Sequence, residues 1–516
     1  MPSYFGLRGN ALENALIWAV ILPSYLLFGY NNAVTGGLLS QPSWEAVFPQ
    51  IDTDDVTGNT KTQHSRLQGT VVALYTLGCF FGSLDTIWIG DVLGRKRTIM
   101  LGAVGNLIGA IIESSSYSLP QLIVGRLITG FGFGHLTATA PNWQAECATP
   151  AHRGAAVLWE SVFISGGLAI SGWIDFGLSH VSSDASWRFP LAFSAFWSIL
   201  ILLTTPHMPE SPRWLVKKGR VDEARATIGA LWDVDVQSRR INEEIAEIER
   251  SLALAGNARF RDLLTNKDLR LLHRVCLAAA GQMFQQLSGI NALAFYQATI
   301  FESDLGIEAG TARIIAAAVF TWQTICAPIG VLTVDRFGRR KLMIFSATGM
   351  GLCMAVIAGG SSQSGNTAAV GAAAAFIFLF SLFFPIGFLG LTFLYASEIA
   401  PLSHRVPITA ISTGSAWLWN FVVAEITPVG FSTITYRYPI IYAAINWFLI
   451  LPSVYFFWPE TNGRHLEEVD QIFLDSKNIF DPVRIARERP PAEHVATTEI
   501  NIVDSEKPEA VHVADA

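Results

Sequence analysis

The stretch Gly90-Asp91-Val92-Leu93-Gly94-Arg95-Lys96 is a short charged loop between two apolar blocks, and it returns as Asp335-Arg336-Phe337-Gly338-Arg339-Arg340-Lys341. Two further signatures repeat. Glu146, followed by Arg153, recurs as Glu398 followed by Arg405, and Pro209-Glu210-Ser211-Pro212 recurs as Pro459-Glu460-Thr461. All three offsets are about 250 residues, half of the 516-residue chain. The chain therefore reads as a duplicated array, the build expected of a transporter whose two halves rock about a central site.

The text around these loops is that of a membrane. Hydrophobic residues make up 51% of the chain and charged ones only 15%, and the mean hydropathy is +0.38. A soluble chain carries about 25% charged residues. The apolar material comes in blocks of roughly 18 to 25 residues, each long enough to cross a bilayer core as a helix. Twelve such spans are predicted, over residues 13–38, 66–89, 98–117, 119–141, 155–178, 187–206, 274–298, 310–334, 341–360, 370–396, 407–430 and 436–458. Helices are required because lipid offers no partner to a free backbone N–H or C=O. The expectation is an all-α membrane protein with a segment 1–12, a six-helix half over 13–206, a helical linker over 207–273, a second six-helix half over 274–458, and a tail over 459–516, disordered beyond about 485 where Glu, Pro and Ala accumulate.

With both termini inside, about 29 of the 35 basic residues fall on the cytoplasmic side. The plasma membrane is the expected location. The net charge of −7 argues against a nucleic-acid partner. The five cysteines and the histidines show no ligand spacing, so no metal or cofactor is expected. Gly130 to Gly134 lies inside a span without a following Lys-Ser/Thr and reads as close helix packing rather than a nucleotide loop. No Ser/His/Asp set or paired catalytic carboxylates present themselves, so an enzyme is not expected. A monomer in the bilayer is.

The repeated charged set Asp91, Arg95, Glu146 and Arg153, with its counterpart Asp335, Arg339, Glu398 and Arg405, sits at the inner ends of the spans. Carboxylates contribute little to membrane orientation, so these groups are expected to tie helix ends together as a cytoplasmic gate. In the seventh span Gln282, Gln285 and Gln286 share one helical sector, and Gly289 weakens the helix just before Asn291. Buried amides facing lipid would be costly, so this cluster is read as the wall of a cavity for a neutral, hydroxyl-rich substrate. Ionisable residues within spans are functional candidates by default; here they are Arg126, Glu160 and Glu425, with Asp85 and Asp175 near span ends, where solvated or capped carboxylates are expected.

The motifs, taken in order, resemble the sugar porter branch of the major facilitator superfamily: Gly29-Tyr30-Asn31, Gly90 to Lys96, Gly125-Arg126-Leu127, Pro141-Asn142-Trp143-Gln144-Ala145-Glu146, Pro209 to Trp214, Gln285-Gln286-Leu287-Ser288-Gly289-Ile290-Asn291, Asp335 to Arg340 and Pro459 to Gly463. The segment Glu160 to Leu178 is similar to fungal sugar transporters, among them hexose, lactose-permease-like and glycerol–proton symporter members. The resemblance implies transport of a sugar or polyol by alternating access. It also implies that Gln323, Trp417 and Asn420 join the glutamines at the substrate. The chain departs from the family's pattern at Glu160, where Gln is usual, at Phe393, where Trp is usual, and at Ala416, where a polar residue is usual. Proton-coupled members carry Asp in the first span, near the fourth-span Arg; this chain has Asn31. Two readings stay open, facilitated uniport, or proton symport with Glu160 first and Glu425 second as the proton carrier and Arg126 holding spans one and four. A transporter-like nutrient sensor is a third reading.

Overall fold

The computed structural model describes residues 4–489 apart from 54–55, 149–152, 257–259, 267–268, 364 and 465, with backbone only for 153–158, 254–256, 260, 303–304 and 402. Among the described residues twelve long helical segments form the body. The first half holds α1 (Gly9–Leu38), α2 (Gly58–Leu93), α3 (Arg95–Ser114), α4 (Leu119–Cys147), α5 (Arg153–Leu178) and α6 (Ala185–His207). The second holds α7 (Leu271–Gln285, continued by Gln286–Ile290 and Asn291–Thr299), α8 (Ala309–Phe337), α9 (Arg339–Ser361), α10 (Thr367–Glu398), α11 (Arg405–Ile434) and α12 (Tyr438–Ala444, Ile445–Ile450 and Leu451–Phe457). Eight continuous stretches are apolar and long enough to cross a membrane by length and composition alone, and the last of these, Arg405–Phe457, contains both α11 and α12. The helices outside that set, α3, α4 and α7, carry Glu113, Arg126 and the glutamine cluster; their polar groups turn into the bundle.

One face carries residue 4, the linker and the tail, and is called here the terminal face. Tyr4 Oη lies 2.9 Å from Thr227 Oγ1 of the linker, and Arg8 pairs with Asp233 at 3.2 Å. The linker helices Pro212–Lys217, Val221–Trp232 and Arg239–Gly256 share their own small core of Trp214, Leu215, Ile228, Ile241 and Ile245. The tail forms two helices, Leu466–Leu474 and Asp481–Glu488, so ordered structure runs slightly past the expected limit at 485; residues 490–516 lie outside the described residues.

The duplicated loops fold alike because their chemistry is alike. Gly94 (φ +87°) ends α2 and Gly338 (φ +88°) ends α8, a left-handed stop that suits glycine. A Cβ at Gly94 would meet the Glu210 carboxylate at 2.6 Å, and one at Gly338 the Glu460 carboxylate at 2.5 Å. Those carboxylates take the free N–H groups that open the next helix: Arg95 and Lys96 donate to Glu210, and Arg339 and Arg340 to Glu460, at 2.8–3.3 Å. A negative charge there also complements the helix dipole. Burial raises the Glu210 carboxyl above its ordinary range, although these N–H bonds pull it down.

The glycine run in α4 is packing, as its sequence suggests. A Cβ at Gly130 would lie 2.0 Å from the Tyr75 carbonyl of α2, and one at Gly132 would lie 2.4 Å from the Asn106 nitrogen of α3. Small residues let these backbones touch.

Candidate substrate site and gate

A cavity lies between the two halves, walled by α1, α4 and α5 on one side and α7, α8, α10 and α11 on the other. Its polar lining includes Asn32, Glu160, Gln285, Gln286, Asn291, Gln323 and Asn420, and its aromatic lining is Tyr25, Phe28, Phe384, Phe393 and Trp417.

The amides of α7 form a relay. Asn291 Nδ2 donates to Gln286 Oε1 (2.5 Å), Gln286 Nε2 donates to Gln285 Oε1 (2.8 Å), and Gln285 Nε2 donates to the carbonyls of Phe388 and Leu389 in α10 (both 2.9 Å). Local backbone makes this possible on both sides. Gly289 adopts φ +103° inside a π-helical turn over Gln286–Ile290, so Asn291 restarts the helix on the cavity side. In α10 a π-helical turn over Pro385–Leu389 frees carbonyls to receive Gln285. A broken helix lining a cavity, rather than facing lipid, is how a membrane protein tolerates irregular backbone. Across the cavity Gln323 Nε2 lies 3.4 Å from Ser165 Oγ of α5.

Two groups keep unused polar atoms. Glu160 is 7% exposed and its carboxylate interacts with the Tyr25 hydroxyl, while among the described residues Asn32 Oδ1 and Asn420 Oδ1 have no hydrogen-bond partner. A buried polar atom without a partner is costly, and these two acceptors lie in the cavity wall, where they can bind a donor. Trp417 is held by Phe28 (ring centroids 5.4 Å), Phe133 (6.1 Å) and Tyr75 (6.5 Å). It offers the cavity an apolar face. Tyr25, Phe28 and Asn32 were not singled out from sequence; the polar residues one turn from Phe28 in α1 were the available signal.

Three expected placements differ. Gln282 does not line the cavity: it is fully buried, about a turn from where Ser412 and Ser415 of α11 donate to the Ala278 and Ala279 carbonyls. Glu425 lies away from the cavity as well and accepts from Thr70 Oγ1 of α2 (2.8 Å), a bond between the halves. Arg126 does not reach Asn31. It donates to the Val71 and Val72 carbonyls (3.4 and 3.3 Å), lies over the Tyr75 ring (4.9 Å), and has Glu113 3.8 Å away. Asn31 instead donates to Asn106 Oδ1 (2.9 Å). Asp175 is 4% exposed, so it is not solvated, and Asp85 faces His135 (3.2 Å).

At the terminal face Arg95 grips Glu146 with two bonds of 2.8 Å, and Glu146 also accepts from Ser211 Oγ (2.5 Å). The second half repeats this: Arg339 reaches Glu398 at 2.8–3.1 Å, and Glu398 accepts from Thr461 Oγ1 (2.7 Å). Each of these pairs joins helices of one half. Asp335 adds to Arg339 (2.9 Å), whereas Asp91 pairs with Lys217 of the linker (2.6 Å) rather than with Arg95. Arg405 begins α11; the Arg153 side chain lies outside the described residues.

The other face is closed differently. Arg313 of α8 donates to Ser40 at the end of α1 (2.7 Å), Trp173 Nε1 donates to Thr321 Oγ1 (2.9 Å), and Leu39, Val72, Phe295 and Tyr296 are buried together where the halves meet. A shallow groove along Tyr436 to Leu449 of α12 is almost wholly apolar and offers a polar solute little.

Comparison with known proteins agrees with this architecture. The profile of the family described as "Sugar (and other) transporter" matches residues 16–473. The MFS-type transporter oryC of Aspergillus oryzae is 37% identical over 94% of this chain and 90% of its own length. The sugar transporter STL1 of Saccharomyces cerevisiae is 32% identical over 95% and 86%. Among solved structures, the proton:xylose symporter XylE superposes with a TM-score of 0.75 at 23% identity, over 90% of this chain and all of that one. The chain thus belongs to the sugar (and other) transporter family, and it is a multi-pass membrane transporter of the major facilitator fold rather than an enzyme.

Proposed function

We propose that the protein moves a small neutral polyhydroxy solute, a sugar or polyol, across the plasma membrane by alternating access coupled to protons, with the terminal face cytoplasmic. The observation that carries this reading is the amide relay Asn291–Gln286–Gln285, anchored on the carbonyls of α10 and presented to a cavity between two halves. Amides bind hydroxyls as donor and acceptor without demanding a charge, and Trp417 and Phe393 suit the apolar side of a sugar ring. STL1 is a sugar transporter and XylE a proton:xylose symporter by name, which supports the substrate class and the coupling. Thermal stabilisation of the purified protein by hexoses, pentoses, disaccharides, glycerol and sorbitol identifies the substrate, and radiolabelled uptake into proteoliposomes separates a transporter from a sensor.

Asn291→Ala should weaken substrate binding by roughly 0.5–1.5 kcal/mol, the net value of a hydrogen bond, or about two- to tenfold in the half-saturation constant. Gln285→Ala should weaken binding by a similar amount and also lower stability, because it removes the amide donor to the Phe388 and Leu389 carbonyls, of which Phe388 keeps Thr392 Oγ1. Unchanged half-saturation in both variants, at equal protein in the membrane, would place the substrate elsewhere.

In this reading Glu160 is the first candidate for the proton carrier, being a buried carboxylate in the cavity wall beside Tyr25. If Glu160 carries the proton, Glu160→Gln should retain substrate exchange and lose accumulation driven by a pH gradient. The second reading, facilitated uniport, is favoured by Asn31, which cannot titrate. It stands if the wild-type protein exchanges substrate yet never accumulates it under an inward proton gradient.

A further inference from the structure

Glu113, near the end of α3, is a buried carboxylate with a partner that sequence spacing does not show. It is 3% exposed. Its Oε1 accepts a hydrogen bond from Thr129 Oγ1, and its Oε2 lies 3.8 Å from Arg126 Nη1. The α4 backbone is pressed against it: a Cβ at Gly125 would come within 2.6 Å of the Glu113 Cγ.

The helices around Glu113 place Arg126 as the charged group against it. From α6, Arg188 binds the neighbouring Ser114 carbonyl (2.9 Å) and is paired with Asp184 (3.3 Å). From α2 comes Tyr75 and from α1 comes Asn31, both neutral, and Asn31 is engaged with Asn106, which donates in turn to Ser198 (2.8 Å). Two opposed effects therefore act on the Glu113 proton. Burial favours the neutral acid, and the Arg126 guanidinium favours the anion. The balance depends on where Arg126 sits.

Arg126 is also tied to the cavity. It donates to the α2 carbonyls of Val71 and Val72 and covers the Tyr75 ring, and Tyr75 meets Trp417 of the other half edge-on. Trp417 lines the cavity. Packed contacts thus run from the carboxylate in α3 to the substrate wall in α11.

We propose that Glu113, in place of Glu160, binds the proton of the transport cycle, outside the substrate cavity and with Arg126 as its counter-charge. A carboxylate oxygen of Glu113 takes a proton from water; Arg126 keeps its own protons, so the pair passes from neutral to a single positive charge. The freed guanidinium then rests on the α2 carbonyls and Tyr75 alone, which shifts the ring that supports Trp417. Proton and substrate occupy different sites and need not compete. Glu113 acts on the substrate through other residues and is a positioning residue for it.

The proposal rests on the proton-coupled reading above, and its test separates the two. Wild type, Glu113→Gln and Glu113→Asp are purified and titrated with acid by infrared spectroscopy, with the proton itself as the ligand. Other carboxylates titrate too, so the acid-induced spectra are subtracted: wild type minus Glu113→Gln should leave one carboxylic-acid C=O band, and Glu113→Asp minus Glu113→Gln should also leave one. The same proteins in proteoliposomes are given radiolabelled D-glucose and D-sorbitol under an inward gradient of one pH unit. One proton per substrate can drive up to about tenfold accumulation there. Glu113→Gln should exchange either probe with the wild-type half-saturation constant and lose that accumulation, and Glu113→Asp should restore it. An acid-induced spectrum of Glu113→Gln identical to that of wild type, or wild-type accumulation by that variant, overturns the proposal and leaves the coupled reading intact. Loss of exchange together with accumulation, unrepaired by Asp, would make the pair merely structural. Absence of accumulation by wild type for both probes would remove both readings.

Discussion

Gly36→Val should abolish transport and leave the face opposite the termini open. Gly36 lies in α1, and a Cβ built there falls 2.3 Å from the Phe295 carbonyl oxygen of α7, in the other half. Both sides of the contact are backbone, so no side chain can swing away to make room. The bonds between halves on this side depend on the same approach: Arg313 to Ser40, Thr70 to Glu425, and the buried group of Leu39, Val72, Phe295 and Tyr296. Forcing an extra group into a packed interface costs about 1–3 kcal/mol when side chains can adjust. Against two backbones the upper end is the minimum. About 3 kcal/mol already shifts a two-state equilibrium by more than a hundredfold. Uptake should fall below about one per cent of wild type on that scale. A cysteine placed at Leu39, buried here, should become reactive to a water-soluble maleimide. Normal uptake by Gly36→Val would mean that transport does not require the halves to meet at this point.

The second large effect is expected at Arg339. This residue is 8% exposed and makes bonds to Glu398, Asp335, Asn462 Oδ1 (2.6 Å) and the Val334 carbonyl (3.3 Å). Its charge is buried and is matched by the carboxylates of Glu398 and Asp335. Arg339→Ala leaves Glu398 with only Thr461 among these partners. Removing one member of a buried pair costs about 3–5 kcal/mol. The lower figure applies here, because the Asp335 side chain is 80% exposed and screened by water. The variant should melt earlier, and a cysteine replacing Thr413, on the cavity wall, should label faster from the terminal face. Glu146→Gln combined with Glu398→Gln tests both halves at once: the shape of each pair is kept while its charge is lost. Because each pair lies within one half, the effect should reach the gate by loosening helix ends. Unchanged labelling and transport would reduce these residues to setting membrane orientation.

What sequence alone determined about this protein is what depends on local chemistry. Apolar blocks must become helices where the backbone has no water to bond, and eleven of the twelve expected spans lie inside or within a few residues of single helical segments, while the seventh runs through its own break at Gly289. The loop text Gly-Arg-[Arg/Lys] with a distant Pro-Glu specified a glycine stop, a capping carboxylate and an Arg–Glu pair twice, because each part recurs with its partners. Tertiary structure decided which buried polar groups meet. Helical spacing places Gln282 beside Gln285 on one face, yet only the π-helical turn and the packing of α11 determine that Gln285 faces the cavity and Gln282 does not. Arg126 and Asn31 are both legible as buried polar residues. That Arg126 turns to Glu113 across the α3–α4 contact, and Asn31 to Asn106, depends on how each helix is rotated about its axis. Periodicity within a helix carries no information about that rotation; it is set by where glycines such as Gly125 and Gly132 let neighbouring backbones come together.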